Sequence, residues 1–306
     1  GRLVKEHTDM PAGVFNVITS EDPRVVGDQL VGDPRVDMVS FTGSTAVGKH
    51  IMARASATVK KVFLELGGKS ANILLDDADF GNALLSALAV CFHAGQGCAI
   101  ATRLLVPGSR QAEAEALLKT YFGYIQYGNP AAEDQIMGPL INRRQQERVL
   151  GYIERGRQEG ARLLLGGGRP AHLPQGYYVE PTVFVDVTND MTIAQEEIFG
   201  PVLAVIAYEN EEDAIRIAND SVYGLSGAVW SADEARALLP KIREWLAQLE
   251  VLRASLRKHD QRVGTMLDAG TDRGGQTVND WVRTMADIQR VLEEFRSREI
   301  HIKDPD

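Results

Sequence analysis

From Val14 to about Trp230 the sequence alternates short β-rich runs with longer helical patterns, and that alternation leaves few architectures open. It is the signature of βαβ units, which lay parallel strands side by side and pack helices over them. The runs read as strands are 14–18, 36–41, 60–64, 72–75, 102–106, 162–165, 178–185, 203–208 and 227–230. Helical spacing fills the intervals 46–57, 79–92, 110–125, 143–159 and 211–219, and Gly/Pro clusters such as Gly166-Gly167-Gly168-Arg169-Pro170 mark the loops. The expected fold class is α/β, over 306 residues that suffice for one large domain or two packed ones.

The texture changes after Ser231. Charged side chains make up 27 of the 75 residues from 232 to 306, against 48 of the 231 before them, and 25 of the 29 glycines lie on the earlier side. Two amphipathic stripes are legible in this tail: Leu238, Ile242, Trp245, Leu249, Leu252 and Leu256, then Val278, Trp281, Met285, Ile288, Leu292 and Phe295. Their spacing of three and four predicts an all-α helical hairpin, with a partner-binding coiled coil as the alternative. Ser231 with Glu234 forms a capping box for a short lead-in, and Pro240 starts the first long helix. At the other end, Gly1–Thr8 reads as part of a helix that runs into Met10-Pro11-Ala12-Gly13.

Composition excludes several function classes. With 33 basic against 42 acidic residues and a net charge of −9, the chain has no broad basic field for nucleic acid or anionic membrane. Two cysteines, Cys91 and Cys98, make neither a disulfide framework nor a structural zinc site, and the six histidines form no H-x-x-x-H cluster, so no metal is expected. Low cysteine use and the lack of a membrane-length apolar run point to a cytoplasmic protein.

Three segments can carry chemistry. Val39 to His50 reads as strand, Gly-containing turn and helix start, where Thr42, Gly43 and Ser44 would present backbone N–H groups and a helix dipole to a phosphate. Gly43 to Lys49 also approaches a P-loop, but His50 stands where Ser or Thr would hold magnesium. An ordinary turn that uses Gly for positive φ and Ser for capping stays open. In the second segment, Glu65 ends an apolar strand before Gly67-Gly68; a carboxylate there is either solvated or a general base in a cleft at the strand ends. In the third, Cys98 follows Gly95-Gln96-Gly97 in a loop where a thiolate could act as nucleophile, whereas Cys91 belongs to an apolar helix stripe. The paired carboxylates Glu196 and Glu197 could be an acid and base of glycosidase type, a metal clamp or ligands for ribose hydroxyls; being adjacent they should face opposite ways, so one of them is structural.

The succession FTGSTAVG, LELGGKSANIL, GQGC, PLI, GYYVEPTVF, EEIFGPV and YGLSGAV resembles the NAD(P)-dependent aldehyde dehydrogenase superfamily over about residues 11–231. The resemblance implies a partial dinucleotide-binding domain at 1–70, a catalytic domain at 71–231 and the helical tail at 232–306. It implies Cys98 as nucleophile and Glu65 as general base, Thr42, Gly43 and Ser44 at the pyrophosphate, Glu197 on the nicotinamide ribose with Phe199 against the ring, NAD or NADP as cofactor and a small aldehyde as substrate. It also implies upstream and downstream family segments that lie outside this chain, including a second oxyanion donor, an adenosine-ribose lysine and an oligomerising strand; cofactor binding would then be weak. The tail resembles a small uncharacterised bacterial helical family, so the chain reads as a chimera. The alternative is a catalytically silent fragment that acts only through protein contacts.

Overall fold

The computed structural model describes residues 1–232, 248–249, 251–259, 261, 265 and 276–296. The chain divides into two compact units: Gly1–Asp76 with Phe80–Val229, and Asp77–Asp79 with the described part of Trp230–Asp306.

The first unit is α/β, opens on the short helix α1 (Arg2–His7) and holds two sheets. The smaller pairs β1 (Met38–Thr42) with β2 (Lys61–Glu65) in parallel, Thr42 opposite Glu65. Both strands alternate exposed and half-buried residues, and their inner side packs on the small core Val31, Ile51 and Ala55, contributed by helices α2 (Pro23–Gly32) and α3 (Thr45–Ala55). The larger sheet takes the order β5-β6-β7-β4-β3-β8, from β3 (Ala71–Leu74), β4 (Arg103–Pro107), β5 (Arg162–Leu165), β6 (Thr182–Val185), β7 (Val202–Tyr208) and β8 (Gly227–Trp230). The pairs β3/β4, β4/β7 and β6/β7 are parallel; β5 joins β6 antiparallel at the edge. The central strands read as unbroken apolar runs because both faces are covered, and Leu104, Leu105, Val183, Phe184 and Leu203 are shut off from solvent. Helices α5 (Gln111–Gly123), α6 (Arg143–Gln158) and α8 (Glu211–Asn219) contribute buried stripes to this core; Asn142 and Asn210 cap α6 and α8 through their side-chain oxygens, each 2.9 Å from an N–H three residues on.

Several expected elements differ. Residues 14–18 form no strand: Val14, Phe15, Val17 and Ile18 are exposed, and β propensity without a partner strand makes no ladder. The strand expected from 178 begins only at Thr182, because Pro181 has no N–H to give the sheet. The helix expected over 79–92 is a short α4 (Phe80–Ala83) and a tighter 3-10 helix, Leu84–Gly95, that breaks at Phe92, His93 and Ala94. Helix α2 and the single-turn α7 (Thr192–Gln195) were not foreseen, although Asp22, which caps α2 and precedes Pro23, is a legible start signal.

In the second unit, the expected capping pair is only half described: Ser231 donates to Asp77 Oδ2 at 2.8 Å, and Glu234 and Pro240 lie outside the described residues. The same holds for Leu238, Ile242 and Trp245. Residues 251–259 are helical, with Leu252 and Leu256 half-buried, and a 21-residue helix spans Gln276–Arg296. Among the described residues no helix is long and apolar enough to cross a membrane.

Candidate active site

The site is organised by the loop Glu65 to Ser70, which leaves the carboxyl end of β2 and enters β3. Its first residue fixes the neighbouring turn, since the Glu65 carbonyl accepts the Gly43 N–H at 2.9 Å. The Glu65 side chain is exposed. Gly43 does not use positive φ; its missing Cβ matters because one would strike the Phe41 ring at 2.5 Å, which corrects the reading of this turn. Ser44 caps α3, its Oγ accepting the Val47 N–H at 3.4 Å, and α3 begins directly after the strand end at Thr42. Gly48 lets α3 close on Leu66, whose Cδ2 lies 2.7 Å from where a Cβ would be.

The two glycines that follow explain themselves by what they touch. A Cβ on Gly67 would fall 2.1 Å from Glu197 Oε2, and the Gly68 N–H donates to the same carboxylate. A Cβ on Gly68 would lie 3.1 Å from the Cys98 carbonyl oxygen. The Gly67-Gly68 step therefore touches both the Glu197 carboxylate and the Cys98 main chain, and a side chain at Gly67 would push the carboxylate away. Behind it, the buried Arg103 guanidinium donates to the Lys69 carbonyl at 2.9 Å and to the carbonyls of Ile217 and Ala218 at 2.8 and 2.9 Å. Those two carbonyls belong to the last turn of α8, where a cation is favoured by the dipole.

Cys98 occupies an exposed turn closed by the Ile100 N–H on the Gly97 carbonyl at 3.3 Å. The Ser226 hydroxyl ties this turn to the loop, donating to the Ala99 carbonyl at 2.8 Å and lying 3.0 Å from Ser70 Oγ. Cys91 is fully buried, and burial pushes its thiol up to about 12, so it stays protonated and inert. His93 and Ala94, both at φ 53°, turn the chain from the helix into the Cys98 loop through the left-handed region, a conformation that costs free energy and clusters at functional sites.

The segment Glu196 to Gly200 is held by one face of α6. Gln145 donates to the carbonyls of Ile198 and Phe199 at 3.2 and 2.8 Å, Arg148 to the Glu197 carbonyl at 2.7 Å, and Tyr152 Oη to Glu196 Oε2 at 2.6 Å. Val149 fills the place of a side chain on Gly200. Residues 145, 148, 149 and 152 share a helix face, so the contact follows from helical spacing. Glu196 is thus the structural carboxylate and Glu197 the one turned to the loop. Burial raises the Glu197 pKa; the Gly68 N–H, Arg148 and Lys69 pull it back without cancelling that effect. Phe199, partly exposed at φ 58°, carries strain that the Gln145 bond to its carbonyl holds in place. Sequence reasoning singled out Cys98, Glu65, Thr42, Gly43, Ser44, Glu197 and Phe199, and missed Lys69, Arg103, Gln145, Arg148 and Tyr152; only the α6 spacing could have pointed to the last three.

The chain belongs to the aldehyde dehydrogenase family, whose model matches residues 2–251 and so begins before Pro11 and runs past Ser231. A 3-succinoylsemialdehyde-pyridine dehydrogenase from a Pseudomonas species is 47% identical over 234 residues, which cover 76% of this chain and 49% of that protein. Among solved structures, a Mycobacterium tuberculosis aldehyde dehydrogenase complexed with NAD+ aligns at 51% identity and TM-score 0.67. Aldehyde dehydrogenase C from Pseudomonas syringae, solved as a mutant with NAD+ and octanal, aligns at 46% and 0.68. Each alignment covers 69% of this chain and 44% of the other. The chain spans about half the length of the curated relatives it matches.

Proposed function

We propose that this chain carries the covalent centre of an aldehyde-oxidising enzyme, with Cys98 as nucleophile, Glu65 as general base and a nicotinamide cofactor held by Thr42, Gly43, Ser44, Glu197 and Phe199. The observation that carries the reading is the Gly67-Gly68 step, which abuts the Glu197 carboxylate and the Cys98 backbone together. The cofactor fit rests on two further features. The start of α3 offers main-chain N–H groups to a pyrophosphate, and Glu197 is half-buried with acceptor oxygens that suit ribose hydroxyls.

In this mechanism the Cys98 thiolate forms a C–S bond to the aldehyde carbon, and the Cys98 N–H takes up part of the charge on the carbonyl oxygen. Bound NAD(P) supplies the hydride acceptor. Glu65 then takes a proton from water as the water oxygen attacks the thioester carbon, the C–S bond breaks with its electron pair leaving on sulfur as the Cys98 thiolate, a carboxylic acid departs, and Glu65 returns its proton to solvent. The strained His93-Ala94 entry and the Ser226 tie hold the Cys98 turn for the first step. We read the charged tail from 232 to 306, into which the family match extends as far as 251, as a separate segment that is helical over 251–259 and Gln276–Arg296. Turnover of an aldehyde panel with NAD or NADP tests the reading: activity abolished by Cys98→Ser supports it, and activity unchanged by that substitution contradicts it.

A further inference from the structure

Lys69 is 2% exposed, and its Nζ has no hydrogen-bond partner among the described residues. Lysine is almost never buried unpaired, because its ammonium loses hydration and gains nothing in return. What surrounds it supplies a reason. Lys69 follows the two glycines that face the Glu197 carboxylate, and the charges that act on it are Arg103, which repels it, and Glu197 and Glu196, which attract it. The other polar groups around the two glutamates are already engaged elsewhere. Arg103 donates to the carbonyls of Lys69, Ile217 and Ala218 and to Asn189 Oδ1; Arg148 bonds the main-chain carbonyl of Glu197; Tyr152 holds Glu196.

We propose that Lys69 is a positioning residue for Glu197, its buried ammonium being the positive charge that holds this carboxylate turned to Gly67-Gly68, ready to accept the ribose hydroxyls. The inference rests on the reading of Glu197 as a cofactor ligand. Burial works against both partners: it raises the Glu197 pKa and pushes that of Lys69 down to about 7. Each charge makes the other less costly, and a low-dielectric setting strengthens the attraction. The support that Lys69 gives Glu197 is then strongest below about pH 7 and fades above it as the amine loses its proton.

The coupling can be read without turnover, in the full 306-residue chain carrying 13C at glutamate carboxyl and lysine ε carbons. Lys69→Met should shift the Glu197 titration upward, and Glu197→Gln should shift that of Lys69 downward by the same amount, because coupling free energy is reciprocal. Lys69→Arg should restore the Glu197 titration most of the way. The Glu197→Gln arm stands even if Lys69→Met does not fold. With NAD added and followed by saturation-transfer NMR, Lys69→Met should weaken binding about three- to tenfold below about pH 7 and less above it. A Glu197 titration that Lys69→Met leaves in place, or a Lys69 titration that Glu197→Gln leaves in place, overturns the proposal. Reciprocal shifts in a chain that shows no saturation transfer to NAD would instead overturn the cofactor reading of Glu197, and the positioning role with it.

Discussion

Tyr152 Oη donates to Glu196 Oε2 at 2.6 Å, and this bond on one side of the chain leaves Glu197 facing the other. Burial and the nearby Glu196 carboxylate push the Tyr152 phenol up to about 12, so it remains a donor throughout the neutral range. Tyr152→Phe removes that donor and keeps the ring. It should cost about 1 kcal/mol in urea unfolding, the usual worth of one such bond. If Glu196 orients Glu197, the same variant should also bind NAD more weakly; a loss of stability with unaltered binding would reduce the bond to a purely structural one.

Two glycines should respond oppositely to alanine. Gly95 sits at φ +71°, and a Cβ there would meet the Gly200 carbonyl oxygen at 2.1 Å, so Gly95→Ala should cost more than about 2 kcal/mol and loosen the Cys98 loop. Gly151 lies in α6 with nothing near a Cβ, and Gly151→Ala should add about 0.5–1 kcal/mol. Thermal melts of the two variants check both signs.

Cys98 is exposed and Cys91 buried, and burial holds the Cys91 thiol near 12. Brief iodoacetamide treatment of the folded chain should therefore modify Cys98 alone, with Cys91 reacting only after denaturation. Peptide mass mapping reads this directly, and early label on Cys91 would contradict the packing described.

The pH dependence of stability should carry the mark of Lys69. Its pKa falls from 10.5 for the free side chain to about 7 in the fold, so between those values the unfolded chain binds a proton that the folded chain does not. Stability contributed by this group then rises with pH from about 7 to about 10.5 and is flat below that window. Lys69→Met should remove the rise. Urea midpoints across the range compare the two chains, and parallel curves would show that Lys69 titrates normally.

Much of the fold was legible because its boundaries are local. Strands β5 and β8 and helix α8 fall on the residues that alternation, capping and glycine placement indicate. Residues 14–18 misled because β-branched residues report propensity and not the presence of a partner strand. The positions of Cys98 and Glu65 stood out through their glycine neighbours, but Lys69 did not. A lysine after two glycines reads as a solvated loop residue, and only the fold, which brings Arg103 and the Glu197 segment to it, takes it out of water. Arg103 was missed for the same reason, since two of its carbonyl partners lie more than a hundred residues away.

The central claim is that Cys98 forms an acyl enzyme that Glu65 resolves. Single-turnover reaction of the Glu65→Gln chain with an aldehyde and NAD, quenched and analysed by intact and peptide mass, tests it most directly. The account predicts one acyl group per chain, located on Cys98, appearing together with reduced nicotinamide and decaying far more slowly than in the unsubstituted chain. Reduced nicotinamide without an adduct on Cys98, or an adduct that decays at the unsubstituted rate, would contradict it.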